Sequence, residues 1–199
     1  MRHKRQKIGH LKGLVLGVWG VLVLGLTGCT TQTLVPSNAT FWLAPGVKAS
    51  LPHVACPSDY RQQTLLTAKR ESATQRVMTV EVCRAGLYTM DVLTPTGMAL
   101  MTVTYDGVTL TSTSYVPLPQ GLEASQMVAD VLLATLPVTH WANVLPNGYH
   151  LENTPNGRQV LDPNGQVVET FIYHQGQTPA RLKAIEHHAF GYTLTFRPL

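Results

Sequence analysis

Four dipeptides, Asp106-Gly107, Asn147-Gly148, Asn156-Gly157 and Asn164-Gly165, do most to restrict what this chain can become. Aspartate or asparagine followed by glycine tolerates the positive φ of a tight hairpin turn, so such a pair between β-type runs marks a reversal between antiparallel strands. The runs are there. Gln62–Lys69, Arg76–Arg84, Leu87–Leu93, Met98–Tyr105 and Val108–Tyr115 carry β-branched or aromatic residues in partial alternation, and Asp106-Gly107 is expected to join the last two through a type I′ turn. Tyr149–Asn153, Arg158–Leu161, Gln166–His174, Arg181–His188 and Gly191–Arg197 repeat the pattern toward the C-terminus. Between the two groups the period changes. Leu122, Val128, Val131, Leu132 and Leu136 recur at helical spacing and predict a helix over Gly121–Thr135, with a shorter helical turn in Thr139–Leu145. About ten strands around one helical insert predict a mainly β (α+β) domain built on an antiparallel sheet, without the strand and helix alternation of a parallel fold.

The N-terminus has a different character. Residues 1–12 hold five Lys/Arg and no acid, and residues 13–26 form an apolar run interrupted by four glycines. A basic segment followed by a short apolar one reads as a secretory signal, and the run is too short to cross a bilayer comfortably. The tetrapeptide Leu26-Thr27-Gly28-Cys29 resembles the bacterial lipobox. The expected organisation is therefore a signal peptide over residues 1–28, a lipidated tether over 29–58 that begins at Cys29 and contains Pro36, Pro45, Pro52 and Pro57, and a β domain over 59–199. Multiple acyl chains on Cys29 would hold the protein stably at a membrane. Thr30 and Thr31, with no Asp at the second position, imply for lipoproteins of this kind a place on the periplasmic face of the outer membrane.

Removing the leader changes the charge. The whole chain is formally +4, but five of its fifteen basic residues lie in residues 1–12, leaving ten against eleven acids. No basic run remains for phosphate binding, so a nucleic-acid partner is not expected. Cys56 and Cys83 would reside in an oxidising compartment, where two thiols usually pair. A disulfide there would stabilise by about 3 kcal/mol, the alternative being two separate buried thiols.

Alternation along the strands places Met78, Val80 and Val82 on one face, likewise Met90 and Val92, and Met101, Val103 and Tyr105. With Val128 and Leu132 of the helix and the nearby Trp141, these residues could line an apolar cavity or fill an ordinary core. Trp141 could stack on a ligand or close that core.

The order Gly97 through Asp106-Gly107, Leu118-Pro119, Val128-Ala129-Asp130, Trp141, Arg158 and Gly191-Tyr192-Thr193-Leu194, behind the lipobox, resembles an uncharacterised family of bacterial lipoproteins. That family is related in fold to LolA and LolB and often encoded beside aryl polyene biosynthesis genes. The resemblance implies a half-open β-barrel with a helical lid over a hydrophobic cavity for acyl chains. On this reading the chain is an outer-membrane lipoprotein that helps to move or place a lipid, lipoprotein or polyene lipid. The alternative is an interaction lipoprotein with a packed core that docks an envelope export machine.

Enzymatic signatures are scarce. The sequence has no G-x-S-x-G elbow, H-E-x-x-H helix or Walker loop, so an enzyme is not expected beyond an esterase-like or thioesterase-like activity on the same lipids. Neither a metal nor a cofactor is expected. His187 and His188 are strand neighbours and face opposite sides, while His140, His150 and His174 stand singly in turns or at strand ends. Asp106 reads as a turn residue and Asp130 as a polar position on the wet face of the helix.

Overall fold

The computed structural model describes residues 39–56, 58–117, 123–176 and 181–199. The signal segment, Cys29 and the tether up to residue 38 lie outside the described residues, as do Leu118-Pro119, Gly121 and Leu122.

Twelve strands and one α-helix are present among the described residues. The strands are β1 (Thr40–Ala44), β2 (Val47–Ser50), β3 (Tyr60–Arg70), β4 (Ala73–Arg84), β5 (Leu87–Leu93), β6 (Ala99–Tyr105) and β7 (Leu110–Ser114), then β8 (His150–Thr154), β9 (Gly157–Leu161), β10 (Val167–Tyr173), β11 (Leu182–His187) and β12 (Tyr192–Pro198). Between β7 and β8 lie helix α1 (Ala124–Thr135) and a single 3-10 turn, Val138–His140. Ten strands form one antiparallel sheet in the order β7-β6-β5-β4-β3-β12-β11-β10-β9-β8. The sheet is not closed into a barrel: β7 and β8 are its two edges.

The turns explain the register. Ala85 and Gly86 both take positive φ, 51° and 80°, and form the two-residue reversal between β4 and β5. At Asp106-Gly107 only the glycine does so. The expected type I′ turn is absent there because Asp106 Oδ1 accepts hydrogen bonds from the backbone N–H groups of Val108 (2.8 Å) and Thr109 (2.7 Å), which builds a longer loop. Gly157 serves another purpose, since a Cβ on it would lie 1.9 Å from the carbonyl oxygen of Phe171 on β10. Only a residue without a side chain lets β9 approach β10 there.

The tether assignment for residues 29–58 needs correction over its second half. Residues 40–50 form the β1–β2 hairpin around Pro45-Gly46, and Phe41, Leu43, Ala49, Leu51 and Ala55 are buried in the domain core. Prolines and short strands hide this hairpin in the sequence, although Phe41 and Leu43 alternate as strand residues should. The hairpin and α1 cover the inner face of the sheet. Trp42 N–H donates to Gln126 Oε1 on the helix at 3.1 Å, and Phe41 meets Trp141 edge-on at 6.0 Å between ring centroids. Cys56 and Cys83 are disulfide-bonded, with Cα atoms 6.2 Å apart, which pins the segment after β2 to the end of β4.

Candidate functional site

Across the C-terminal half of α1 the inner face is not filled. A cleft of about 1150 Å³ opens between the helix end, the first half of β3, the end of β12 and the β8–β9 turn. Val131, Ala134 and Leu136 line it from the helix side, and Leu182 and Phe196 from the sheet. Arg158 stands at its edge and ties the helix end to β9: its Nη1 donates to the carbonyls of Leu133 and Leu136, which lack partners at a helix C-terminus. Tyr173 OH donates to the carbonyl of Ala134. The opposite wall is polar, with Tyr60, Gln62, Thr64 and Glu81.

A second polar group lies between the middle of the helix and the sheet, and none of its members lines the cleft. Asp130, which faces the sheet, is buried and accepts hydrogen bonds from Gln126 Nε2 (2.8 Å) and Tyr192 OH (3.1 Å). Glu169 pairs in register with His187, and His187 with Tyr192, so the three form a row across β10, β11 and β12. Both Glu169 oxygens and both His187 ring nitrogens lack a hydrogen-bond partner among the described residues. Burial pushes Asp130 up to about 7, and burial with the nearby Asp130 carboxyl pushes Glu169 well above the usual carboxylate range. Burial, with a smaller contribution from His188, pulls His187 down to about 4. Both acids thus favour their protonated forms and the imidazole its neutral form. No group of three or more His, Cys, Asp or Glu among the described residues is placed to hold a metal ion.

Residues 60–199 match the family described as protein of unknown function, DUF3261. The chain belongs to the DUF3261 family. No curated protein matches it. The family match begins at Tyr60, whereas the hydrophobic core of this DUF3261 protein also takes in Phe41 through Ala55.

The residues expected to line a cavity separate into two groups. Met90, Val92, Met101, Val103, Tyr105, Val128, Leu132 and Trp141 do come together, but each is at most 2% exposed and none lines the cleft. They pack against one another and leave no room for a chain. Tyr105 OH donates to the carbonyl of Pro52 at 2.7 Å, which fixes its ring in that core. Met78, Val80 and Val82 sit on the opposite face of the sheet. On β4 the inward residues are Thr79, Glu81 and Cys83, because Cys83 is bonded to Cys56 and Glu81 stands in register with Met90. A shift of one residue exchanges the faces of a whole strand.

Asp130 also needs correction: it faces the sheet rather than solvent. Glu81, Asp130 and Glu169 had a readable signal, an acid inside an apolar run: Val80-Glu81-Val82, Val128-Ala129-Asp130-Val131 and Val167-Val168-Glu169. Buried acids of this kind are rare enough to single out a position.

Proposed function

We propose that this DUF3261 protein is an envelope lipoprotein, anchored through Cys29 at the periplasmic face of the outer membrane. There it takes an apolar chain into the cleft beside the C-terminal end of α1. The cargo class is a lipid, the acyl part of a lipoprotein, or an aryl polyene lipid, and the role is transport or placement. The observation that carries this reading is a cleft of about 1150 Å³ whose helix and sheet walls present Val131, Ala134, Leu136, Leu182 and Phe196. Each methylene withdrawn from water there contributes about 0.8 kcal/mol, so a long chain binds without a charged partner. An open antiparallel sheet crossed by one helix supports a LolA/LolB-like reading of the fold. The cargo space then lies at the helix end instead of under its middle.

The test is native mass spectrometry with lipid extraction on a Cys29→Ala form exported behind a cleavable signal peptide without a lipobox and purified from the periplasm of its native host. A co-purifying acyl or polyene species is the expected outcome. A mass unchanged after incubation with host lipids and polyenes overturns the proposal. It would favour the interaction lipoprotein that docks an export machine, a reading supported by the dense packing of Met90, Met101 and Tyr105.

A further inference from the structure

Chain binding alone does not call for an acid in the cleft wall. Glu81 is only 2% exposed, yet it lines the cleft from the inner face of β4. Gln62 Nε2 donates to its Oε2 at 2.9 Å. No cation pairs with it among the described residues, where the one ion pair is His150–Glu152 on the surface. Three arginines line the cleft: Arg158 is engaged with the helix carbonyls and with Asn153 Oδ1, while Arg61 and Arg181 are exposed. The titratable groups that face Glu81 are two phenols, Tyr60 from β3 and Tyr88 from β5. The Tyr88 hydroxyl is buried against the Glu81 carboxyl, outside good hydrogen-bond geometry, and with Gln62 it opposes part of the effect of burial on that carboxyl. Burial pushes the Glu81 carboxyl up, so a proton on it turns the acid into a donor as well as an acceptor.

We infer that Glu81, Gln62 and Tyr60 form a polar head subsite that selects ligands with an uncharged ester or amide carbonyl next to the chain over free fatty-acid carboxylates. This rests on the proposed chain-binding role of the cleft. A neutral carbonyl accepts from the Tyr60 hydroxyl and from Glu81 in its protonated form, the form that burial favours. A carboxylate brings an unpaired negative charge to the buried wall beside Glu81, which no cation among the described residues faces, Arg61 and Arg181 of the cleft lining being exposed.

The experiment uses full-length protein in phosphatidylcholine nanodiscs at pH 7, offered an equimolar mixture of 1-palmitoylglycerol and palmitate, each with a photoreactive group at the end of its chain. Adducts are counted and mapped by mass spectrometry. The wild type is expected to favour the ester probe by about tenfold, the equivalent of one good hydrogen bond, with adducts between residues 131 and 136. Glu81→Leu brings the ratio near one while adducts at those positions persist. Glu81→Gln, which still donates and accepts, retains the preference. Should Glu81→Leu fail to fold, Gln62→Leu at an exposed position is expected to lower the ratio in the same direction. A wild-type ratio near one with both probes in the cleft overturns the subsite and leaves the chain-binding reading intact. A preference unchanged in Glu81→Leu does the same. Absence of cleft adducts from either probe overturns both.

Discussion

The inner faces of β5–β7 and of β10–β12 belong to one sheet and are covered by the same layer, yet they are built differently. On β5–β7 the inward side chains are Tyr88, Met90, Val92, Met101, Val103, Tyr105 and Leu110, all buried. On β10–β12 the apolar Phe171 and Ile185 share the face with Glu169, His187 and Tyr192, opposite Asp130 of α1. The first arm is held by apolar burial and is indifferent to protons. The stability of the second depends on which of its groups carry them. The hydrogen bonds from helix α1 to the sheet run to the second arm, through Asp130–Tyr192 and Ala134–Tyr173, and to the adjoining β9 through Arg158, so the element bordering the cleft is held on the side that responds to conditions.

The contrast is broken most severely by a charge in the dry arm. Met90→Asp or Val103→Asp should cost more than about 4 kcal/mol and leave the domain unfolded at 37 °C by circular dichroism, since no partner or water can reach the new carboxylate. A folded variant would mean that this arm has space the packing denies. Next in size, reducing the Cys56–Cys83 bridge should lower stability by about 3 kcal/mol in urea titration, through the 27-residue separation it closes. Arg158→Ala removes charged donors from the end of α1 and should cost about 2 kcal/mol, with faster amide exchange localised to the helix end.

The smallest effects at any one pH separate the arms by their slopes. Asp130 and Glu169 bind protons more tightly folded than unfolded, so their contribution is full below about pH 4. It declines as pH rises through the Asp130 value of about 7. His187, lowered to about 4 from an ordinary 6.5, acts in the opposite sense: its contribution is present above 6.5 and lost as pH falls toward 4. Wild-type stability should therefore fall gently between pH 4.5 and 6, where His187 offsets only one of the two acids, and fall more steeply from 6.5 to 7. Glu169→Gln should flatten that decline, and His187→Leu should steepen it between pH 4.5 and 6. Thermal unfolding midpoints across this range check both, and an unchanged slope in Glu169→Gln would assign the proton uptake elsewhere.

Much of the dry arm was legible before folding. Tyr88, Met90 and Val92, then Met101, Val103 and Tyr105, alternate with polar threonines and Asp91, and the structure keeps those faces. On β4 the same rule misleads, because Met78, Val80 and Val82 outweigh Thr79, Glu81 and Cys83 in hydropathy. The face is decided by a covalent bond and by neighbouring strands, neither of which local alternation reports. The β1–β2 hairpin escaped for a related reason: strands of five and four residues gain their stability from the core they cover. The cleft was the least legible feature. Its walls come from α1, β3, β4, β12 and the β8–β9 turn, and only the unexplained acid between Val80 and Val82 marked a position on it.

The seam between β3 and β12 has a bearing on when the protein can exist at all. It joins Thr67 to Thr195 at the centre of the sheet, so the middle of the structure is completed by two strands that lie far apart in sequence. Until those strands meet, two separate meanders, β3–β7 and β8–β12, wait with open edges. A protein assembled in this order closes its middle last, after each of its two arms has formed.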